Sequence, residues 1–381
     1  MRVRPPLVGA TLLAVVALAV SCSTAPDPTP AAGTQVAGAV EVARSGGVIG
    51  ADADLGDLCV ERFADLEVDR PLHVGLMTDS GSVNDGTFNQ FAYEGMQAAA
   101  RCFGFETTYV ASGASDDYAA HLRDLVQDVD AVVTVGFPLT EATAEVAADS
   151  PDVVFVGIDQ TVDHAGDNYA RVTYRDDQGG FLAGVAAGLL TRSGTVGVVA
   201  GPDDVPPVVD LAEGFEAGIA HVGGDVTVLR DHLDSFSDPE AGADKADEFT
   251  QAGADVIYAP AGMTGSGAIL RAAQRGAWVI GVDQDQYLTT FEGGRVPGSE
   301  RIATSTVKRV DLGVFLQLAD LAAGAFRGGQ VALDAATGGV SYAPAHEADI
   351  PADVHARLEE VRRELATGAL GTDGREAHDR P

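Results

Sequence analysis

The feature that most constrains the fold is a unit of strand, polar loop and helix near residue 73, which the chain then repeats. His73-Val74-Gly75-Leu76-Met77-Thr78 is short and apolar and is followed by turn formers, the pattern of a buried strand. Asp79 to Thr87 is rich in Gly, Ser, Asn and Asp and reads as a loop, with Asn84 or Asp85 suited to capping a helix. From Phe88 the period becomes helical and places Ala92, Met96, Ala99 and Phe103 on one face. This is half of a βαβ unit, and in open α/β sheets the loop at the carboxyl end of a strand faces the ligand crevice. Phe88 stands where loop becomes helix, among Asp79, Asp85 and Asn89. Two readings are open for its ring: packing on its own domain, or stacking on a flat polar ligand.

The alternation continues. Strands are expected at Glu106–Ala111, Ala131–Phe137, Val153–Asp159 and Ala170–Tyr174, with helices at Tyr118–Val126 and Leu139–Ala148. An Ala/Gly/Leu-rich helix at Gly180–Leu190 follows, in which Gly184 and Gly188 leave a smooth face for close packing. A second series has strands at Thr195–Ala200, Asp225–Arg230, Asp255–Pro260 and Trp278–Val282, and helices near Asp210–His221, Ala241–Ala252 and Gly265–Arg275. A helix near Asp311–Phe326, a short strand near Gly339–Tyr342 and a helix at Ala352–Ala366 complete the pattern, and the polar end is expected to be disordered. The pattern alone fits two Rossmann-like domains or one hinged receptor.

The 381 residues are too many for one typical domain and suit two lobes plus extensions, and 46% hydrophobic residues can fill their cores. A formal net charge of −33 opposes nucleic acid and anionic headgroups. Arg2 and Arg4 precede an apolar run, Leu7 to Val20, that is shorter than the ~20 residues of a spanning helix. It ends in Ala19-Val20-Ser21-Cys22, which resembles a bacterial lipobox although Ala19 stands where Leu is commoner. The expectation is a signal peptide over 1–21, cleavage before Cys22, lipidation of its thiol and a cell-membrane location on the extracytoplasmic face. An ordinary secretory peptide cut nearby is the alternative. Residues 22–70 then form the anchor, a flexible Pro/Ala/Thr/Gly tether and an extension, in which Asp52 to Asp57 reads as a solvated acidic loop lacking an EF-hand's ligand spacing. Cys59 and Cys102 remain, and an oxidising compartment favours a bridge between them over two buried free thiols. No Cys/His spacing suggests zinc, and no cofactor is expected.

Thr78-Asp79 through Phe88-Asn89 to Glu94-Gly95 resembles the opening motif of the basic membrane protein family, substrate-binding lipoproteins of ABC importers, many of them purine-nucleoside receptors. Gly136-Phe137-Pro138-Leu139-Thr140, Phe155-Val156-Gly157-Ile158-Asp159, Phe181-Leu182-Ala183-Gly184 and Gly214-Phe215-Glu216-Ala217-Gly218 resemble further family blocks. So do Phe236-Ser237-Asp238-Pro239, Gly253 to Ile257, Gly281 to Gln286 and Thr304 to Arg309, all in family order from about 72 to 345. The resemblance implies the type I periplasmic-binding-protein fold, two doubly wound α/β lobes joined by three crossovers near 173–178, 284–303 and 328–340. It implies a first lobe of 71–175 with about 285–328, a second of 176–284 with about 338–368, and a disordered tail at 369–381. The implied partners are a nucleoside ligand and ABC permease and ATPase subunits. The protein is expected to be a monomer that meets the membrane only through its lipid.

Asp79, Asp159 and Asp283 end strands, and a carboxylate can accept from paired ribose hydroxyls. By resemblance, Asp283 is the ribose partner and Lys308 its companion, Phe88 and Phe236 clamp the base from opposite lobes, and Asp79, Asn89 and Asp159 read its edges. The loop from Gly262 to Gly267 resembles the family's Gly-rich turn beside the ribose and lacks the ending of a P-loop. Structural alternatives stand beside these: an ion pair for Lys308, a helix N-cap for Asp159 and a core position for Phe236. Several carboxylates against one lysine favour a nucleoside over a nucleotide. A sugar or autoinducer receptor on the same fold is the competing class. A nucleoside hydrolase is disfavoured by scattered aspartates and the absence of HExxH and GxSxG patterns.

Overall fold

The computed structural model describes residues 53–66, 68, 70–113, 117–162 and 166–373. The expected signal peptide, Cys22 and the tether lie outside the described residues.

Two six-stranded sheets organise the chain. The first holds β1 (His73–Thr78), β2 (Glu106–Ala111), β3 (Ala131–Val135), β4 (Val154–Ile158), β5 (Tyr169–Tyr174) and β11 (Gly329–Leu333), in the order β11-β5-β4-β3-β1-β2. The second holds β6 (Thr195–Ala200), β7 (Thr227–His232), β8 (Val256–Tyr258), β9 (Trp278–Gly281), β10 (Ile302–Lys308) and β12 (Val340–Tyr342), in the order β12-β10-β9-β8-β6-β7. Every pairing is parallel except β10 with β12. Parallel strands need crossovers, and the helices that supply them cover both faces.

In β1 that double cover is visible in the residues. Val74 and Leu76 enter one core, with α1 (Leu55–Arg62), α2 (Phe88–Phe103) and α9 (Val310–Ala322). Met77 enters the opposite core, with α3 (Tyr118–Leu125) and α4 (Thr140–Asp149). The expected face of α2 is the buried one: Ala92, Met96, Ala99 and Phe103 all pack inward. The second sheet is covered on one side by α5 (Asp176–Leu190), α6 (Pro206–Val222) and α10 (Ala352–Thr367), and on the other by α7 (Pro239–Gln251) and α8 (Gly262–Gln274). The helix α5 meets α6 through small residues, since a Cβ at Gly184 would lie 2.0 Å from the Phe215 carbonyl oxygen. At Gly188 the same Cβ would lie 3.3 Å from the Val222 side chain, so the contact loosens toward the helix end.

The chain passes between the sheets at three places: β5 to α5, β10 to α9, and β11 to β12. The second passage differs from expectation. The resemblance implies that about 285–328 belongs to the first lobe with a crossover near 284–303, but β10 lies in the second sheet between β9 and β12, and the chain crosses after Lys308. The sequence of β10, Ile302 to Lys308, hides it: its polar residues read as loop, yet Thr304 donates to the Ala343 carbonyl and Ser305 accepts from the Gln286 amide, so burial costs them little. Strand β11 also falls inside a stretch expected to be a crossover.

Three smaller expectations change. Asp54 is the N-cap of α1, accepting from the amides of Gly56 and Asp57, so this part of the acidic stretch is a helix start. Thr87 is the N-cap position of α2, while Asp85 accepts from the amides of Thr87, Asn89 and Gln90. The tail beyond 368 is ordered at first, with Leu370 buried and Thr372 donating to Asp177, and residues 374–381 lie outside the described ones. A disulfide joins Cys59 of α1 to Cys102 of α2, with 5.9 Å between their Cα atoms.

Candidate functional site

The carboxyl ends of both sheets border one cleft, the place where α/β folds of this kind take small-molecule ligands. The first lobe contributes the loop after β1, the turn after β3 and the end of β4; the second contributes the loops after β6, β7, β8 and β9. All eight residues expected to bind a ligand line it: Asp79, Phe88, Asn89, Asp159, Phe236, Gly262, Asp283 and Lys308.

Asp79 leaves β1 with its carboxylate accepting from the Ser80 amide and pressed over Gly136, where a Cβ would lie 2.4 Å from Oδ2. Burial pushes its pKa up to about 7, aided by the charges of Asp85 and Asp159. Asn89, in the first turn of α2, donates through Nδ2 to the Ser80 carbonyl at 3.0 Å. Its Oδ1 is buried without a protein partner, and so is Oδ1 of Asp159. Asp159 and Asp283 follow β4 and β9 with φ of +58° and +66°, a backbone region that side-chain-bearing residues rarely occupy and that concentrates at functional sites.

The lysine's side-chain partners are the main correction. Lys308 is expected beside Asp283, and its charge does draw that carboxyl down, but its Nζ makes the alternative ion pair, contacting Asp159 at 2.5 Å and Asp176 at 2.8 Å, while only its backbone amide bonds Asp283, at the carbonyl. The Asp176 contact is an ion pair in which Oδ1 lacks a directed hydrogen bond. Burial draws the Lys308 ammonium down, but Asp159, Asp176 and Asp283 outweigh it and hold it above its ordinary value. Burial also raises Asp159, and pushes Asp176 well up, against the pull of Lys308. Asp283, with no hydrogen bond from that ammonium, is pushed up to about 7 by burial and by the charges of Asp159 and Asp85, with Lys308 drawing it down. The ammonium also lies 5.3 Å from the centre of the Phe88 ring and 5.0 Å from that of Tyr174.

Phe88 is half-buried, packed on the first lobe's core, yet it borders the cleft, so both readings of its ring hold in part. Phe236, also half-buried, reaches the cleft from the loop after β7 and lies against Gly201, where a Cβ would be 2.5 Å from the ring. Gly262, at φ +58°, lets the start of α8 approach Phe236; a Cβ there would lie 3.1 Å from the Phe236 carbonyl oxygen. Sequence reasoning missed Asp176, which lies in the first turn of α5 ahead of the expected helix start at Gly180, and the apolar wall of Phe137, Pro138, Val208, Leu211 and Met263. The Gly136 to Thr140 block carried part of that signal. Among the described residues no cluster could hold a metal ion and no helix is long and apolar enough to cross a membrane.

Residues 72–360 match the family model described as ABC transporter substrate-binding protein PnrA-like. A CD4+ T-cell-stimulating antigen of Listeria innocua is 32% identical over 348 residues, covering 86% of this chain and 94% of its own. The ABC transporter nucleoside-binding protein BmpA of Lactococcus lactis is 32% identical over 259 residues, covering 64% of this chain and 73% of its own. Among solved structures, that of ABC transporter system solute-binding proteins from Aeropyrum pernix K1 superposes with a TM-score of 0.71 at 25% identity, over 79% of this chain and 93% of that one. The neighbours share the periplasmic-binding fold, and two lobes with their strand ends on one cleft are what such a receptor requires. The chain is a member of the PnrA-like family of ABC transporter substrate-binding proteins.

Proposed function

We propose that this protein captures a nucleoside, a purine nucleoside by preference, between its lobes and delivers it to an ABC permease and its ATPase. The observation that carries the reading is one cleft bordered by an aromatic ring from each lobe, Phe88 and Phe236, together with buried acceptors that lack donors, Asn89 Oδ1 and Asp159 Oδ1. Flat rings bind a base by its faces, worth ~1–3 kcal/mol for each stacking partner. Bare acceptors ask for a ligand rich in N–H and O–H groups, which a base edge and a ribose supply. Asp283, raised and without a side-chain hydrogen bond from Lys308, is the group for the sugar hydroxyls, and Asp79 and Asn89, which line the same cleft, are the groups for the base edge. Four carboxyl groups and one ammonium line the cleft, a charge balance that rejects a phosphate. The nucleoside-binding relative of Lactococcus lactis supports the same ligand class.

Isothermal titration with inosine, adenosine, guanosine, galactose and adenosine monophosphate tests it. Saturable heat with nucleosides alone is expected; heat with the sugar and none with nucleosides overturns the ligand assignment. The lipid anchor at Cys22 belongs to the same proposal. Mass analysis of membrane-extracted protein is expected to show a diacylglyceryl adduct on a chain beginning at Cys22, and an unmodified chain in the soluble fraction would refute it.

A further inference from the structure

The turn Asp283–Thr290 after β9 faces two ways. Its first residue lines the cleft, and its next reaches across to the other lobe: Gln284 Nε2 donates to the Thr87 carbonyl at 2.5 Å. Farther along, Thr289 Oγ1 donates to the Gly86 carbonyl at 2.9 Å. Gly86 and Thr87 immediately precede Phe88. The cross-lobe bonds therefore sit next in sequence to a cleft carboxyl on one side and a cleft ring on the other.

The turn is braced from behind. Gln286 accepts from the Val282 amide at 2.9 Å and donates to Thr290 at 2.9 Å and Ser266 at 3.1 Å. Asp285 meets His346 at 2.5 Å, and the His346 ring stacks on Tyr287 with 4.1 Å between centroids. A turn held this way moves with its lobe as a block, so its two outward bonds can form only when the lobes are apposed.

We propose that Gln284 and Thr289 are a latch: positioning residues that seat Asp283 and Phe88 against the ligand and set how fast it leaves. The proposal rests on the reading of the cleft as a ligand site. When the lobes part, water replaces the latch bonds, so their net worth acts on the balance between open and closed forms. Release requires opening and entry occurs in the open form, so the latch slows dissociation and, where it holds the empty protein closed, entry as well.

The test uses Gln284→Ala and Thr289→Val, with nucleoside rates measured by stopped flow. Each variant is expected to speed dissociation about fivefold, the scale of one net hydrogen bond, with association no slower than in the parent. A cross-link gives an independent arm. A Cβ at Gly86 would lie 3.8 Å from the Thr289 Cβ, close to the usual disulfide separation of ~3.8 Å, although φ there is +71°. Gly86→Cys/Thr289→Cys, in a Cys22→Ser background, is expected to oxidise readily and then to exchange bound nucleoside at least tenfold more slowly than when reduced. Parental dissociation rates in both single variants overturn the latch, as does unchanged exchange in the oxidised double variant. If the parent binds no nucleoside, the functional reading falls and the latch is judged by X-ray scattering of empty protein. A larger radius of gyration in both single variants then supports it, and an unchanged one sinks it.

Discussion

The two lobes end their equivalent strands with nearly the same four-residue phrase, Gly157-Ile158-Asp159-Gln160 at the end of β4 and Gly281-Val282-Asp283-Gln284 at the end of β9, differing only as Ile against Val. Both aspartates adopt positive φ and both line the cleft. From there they diverge. Asp159 is held by Lys308, and Gln160 turns inward, donating to the carbonyls of Thr134 and Gly136. Asp283 has no hydrogen bond from a lysine side chain, and Gln284 turns outward to the opposite lobe. The inward role in the second lobe passes to Gln286, whose Oε1 lies where a Cβ on Gly281 would be, 2.8 Å away, as Gln160 Oε1 lies against Gly157. One local motif thus carries a lysine-paired carboxyl and an inward glutamine in the first lobe, and a carboxyl without a lysine hydrogen bond beside a cross-lobe glutamine in the second. The backbone shape is local; the partners are not.

The largest expected effect tests the lysine-paired carboxyl. Lys308→Met leaves Asp159 and Asp176 buried without their cation, at a cost of ~3–5 kcal/mol in urea unfolding at pH 7. A change below ~1 kcal/mol would show that the ammonium is not what holds these carboxyls. Next comes the brace that the first lobe alone carries among the described residues. Opening Cys59–Cys102 by Cys59→Ser/Cys102→Ser releases a loop of sequence separation 43, worth about 4 kcal/mol, read as a lower unfolding midpoint. The rings come third: Phe88→Ala and Phe236→Ala are each expected to weaken nucleoside binding by ~1–3 kcal/mol, about five- to 150-fold, in titration calorimetry. A loss confined to Phe88 would mean that only one lobe stacks.

The smallest effect concerns Asp283 and runs the other way. Its pKa is pushed up to about 7 in the folded chain, against ~3.9 when unfolded, so the folded state binds the proton more tightly. The stability it contributes is complete below about pH 4 and is lost as pH rises through about 7. Asp79, also raised to about 7, has the same sign. Asp283→Asn is expected to flatten the fall in stability of the ligand-free protein between pH 5 and 8, and to raise it by ~1 kcal/mol at pH 8. It is also expected to weaken ligand binding. An unchanged pH slope would mean that Asp283 is ionised at little cost, and that the contrast with Asp159 is absent.

The sequence by itself determined the alternation, the placing of Asp79, Asp159 and Asp283 at strand ends, and the buried face of α2, because hydrophobic period and turn chemistry act within a few residues. It also holds the near-repeat around Asp159 and Asp283, a local signal of two equivalent strand ends. It did not reveal β10, whose Ser and Thr side chains are tolerable only beside the Ala343 carbonyl and the Gln286 amide that bond them. Nor did it tell which carboxyl would hold Lys308, which glutamine would cross the cleft, or that Asp176 would share the lysine. Those choices rest on contacts between residues more than a hundred positions apart, 149 for Lys308 with Asp159 and 197 for Gln284 with Thr87. Charge pairing in a buried hinge depends on distance and desolvation in three dimensions, and only the folded chain fixes either.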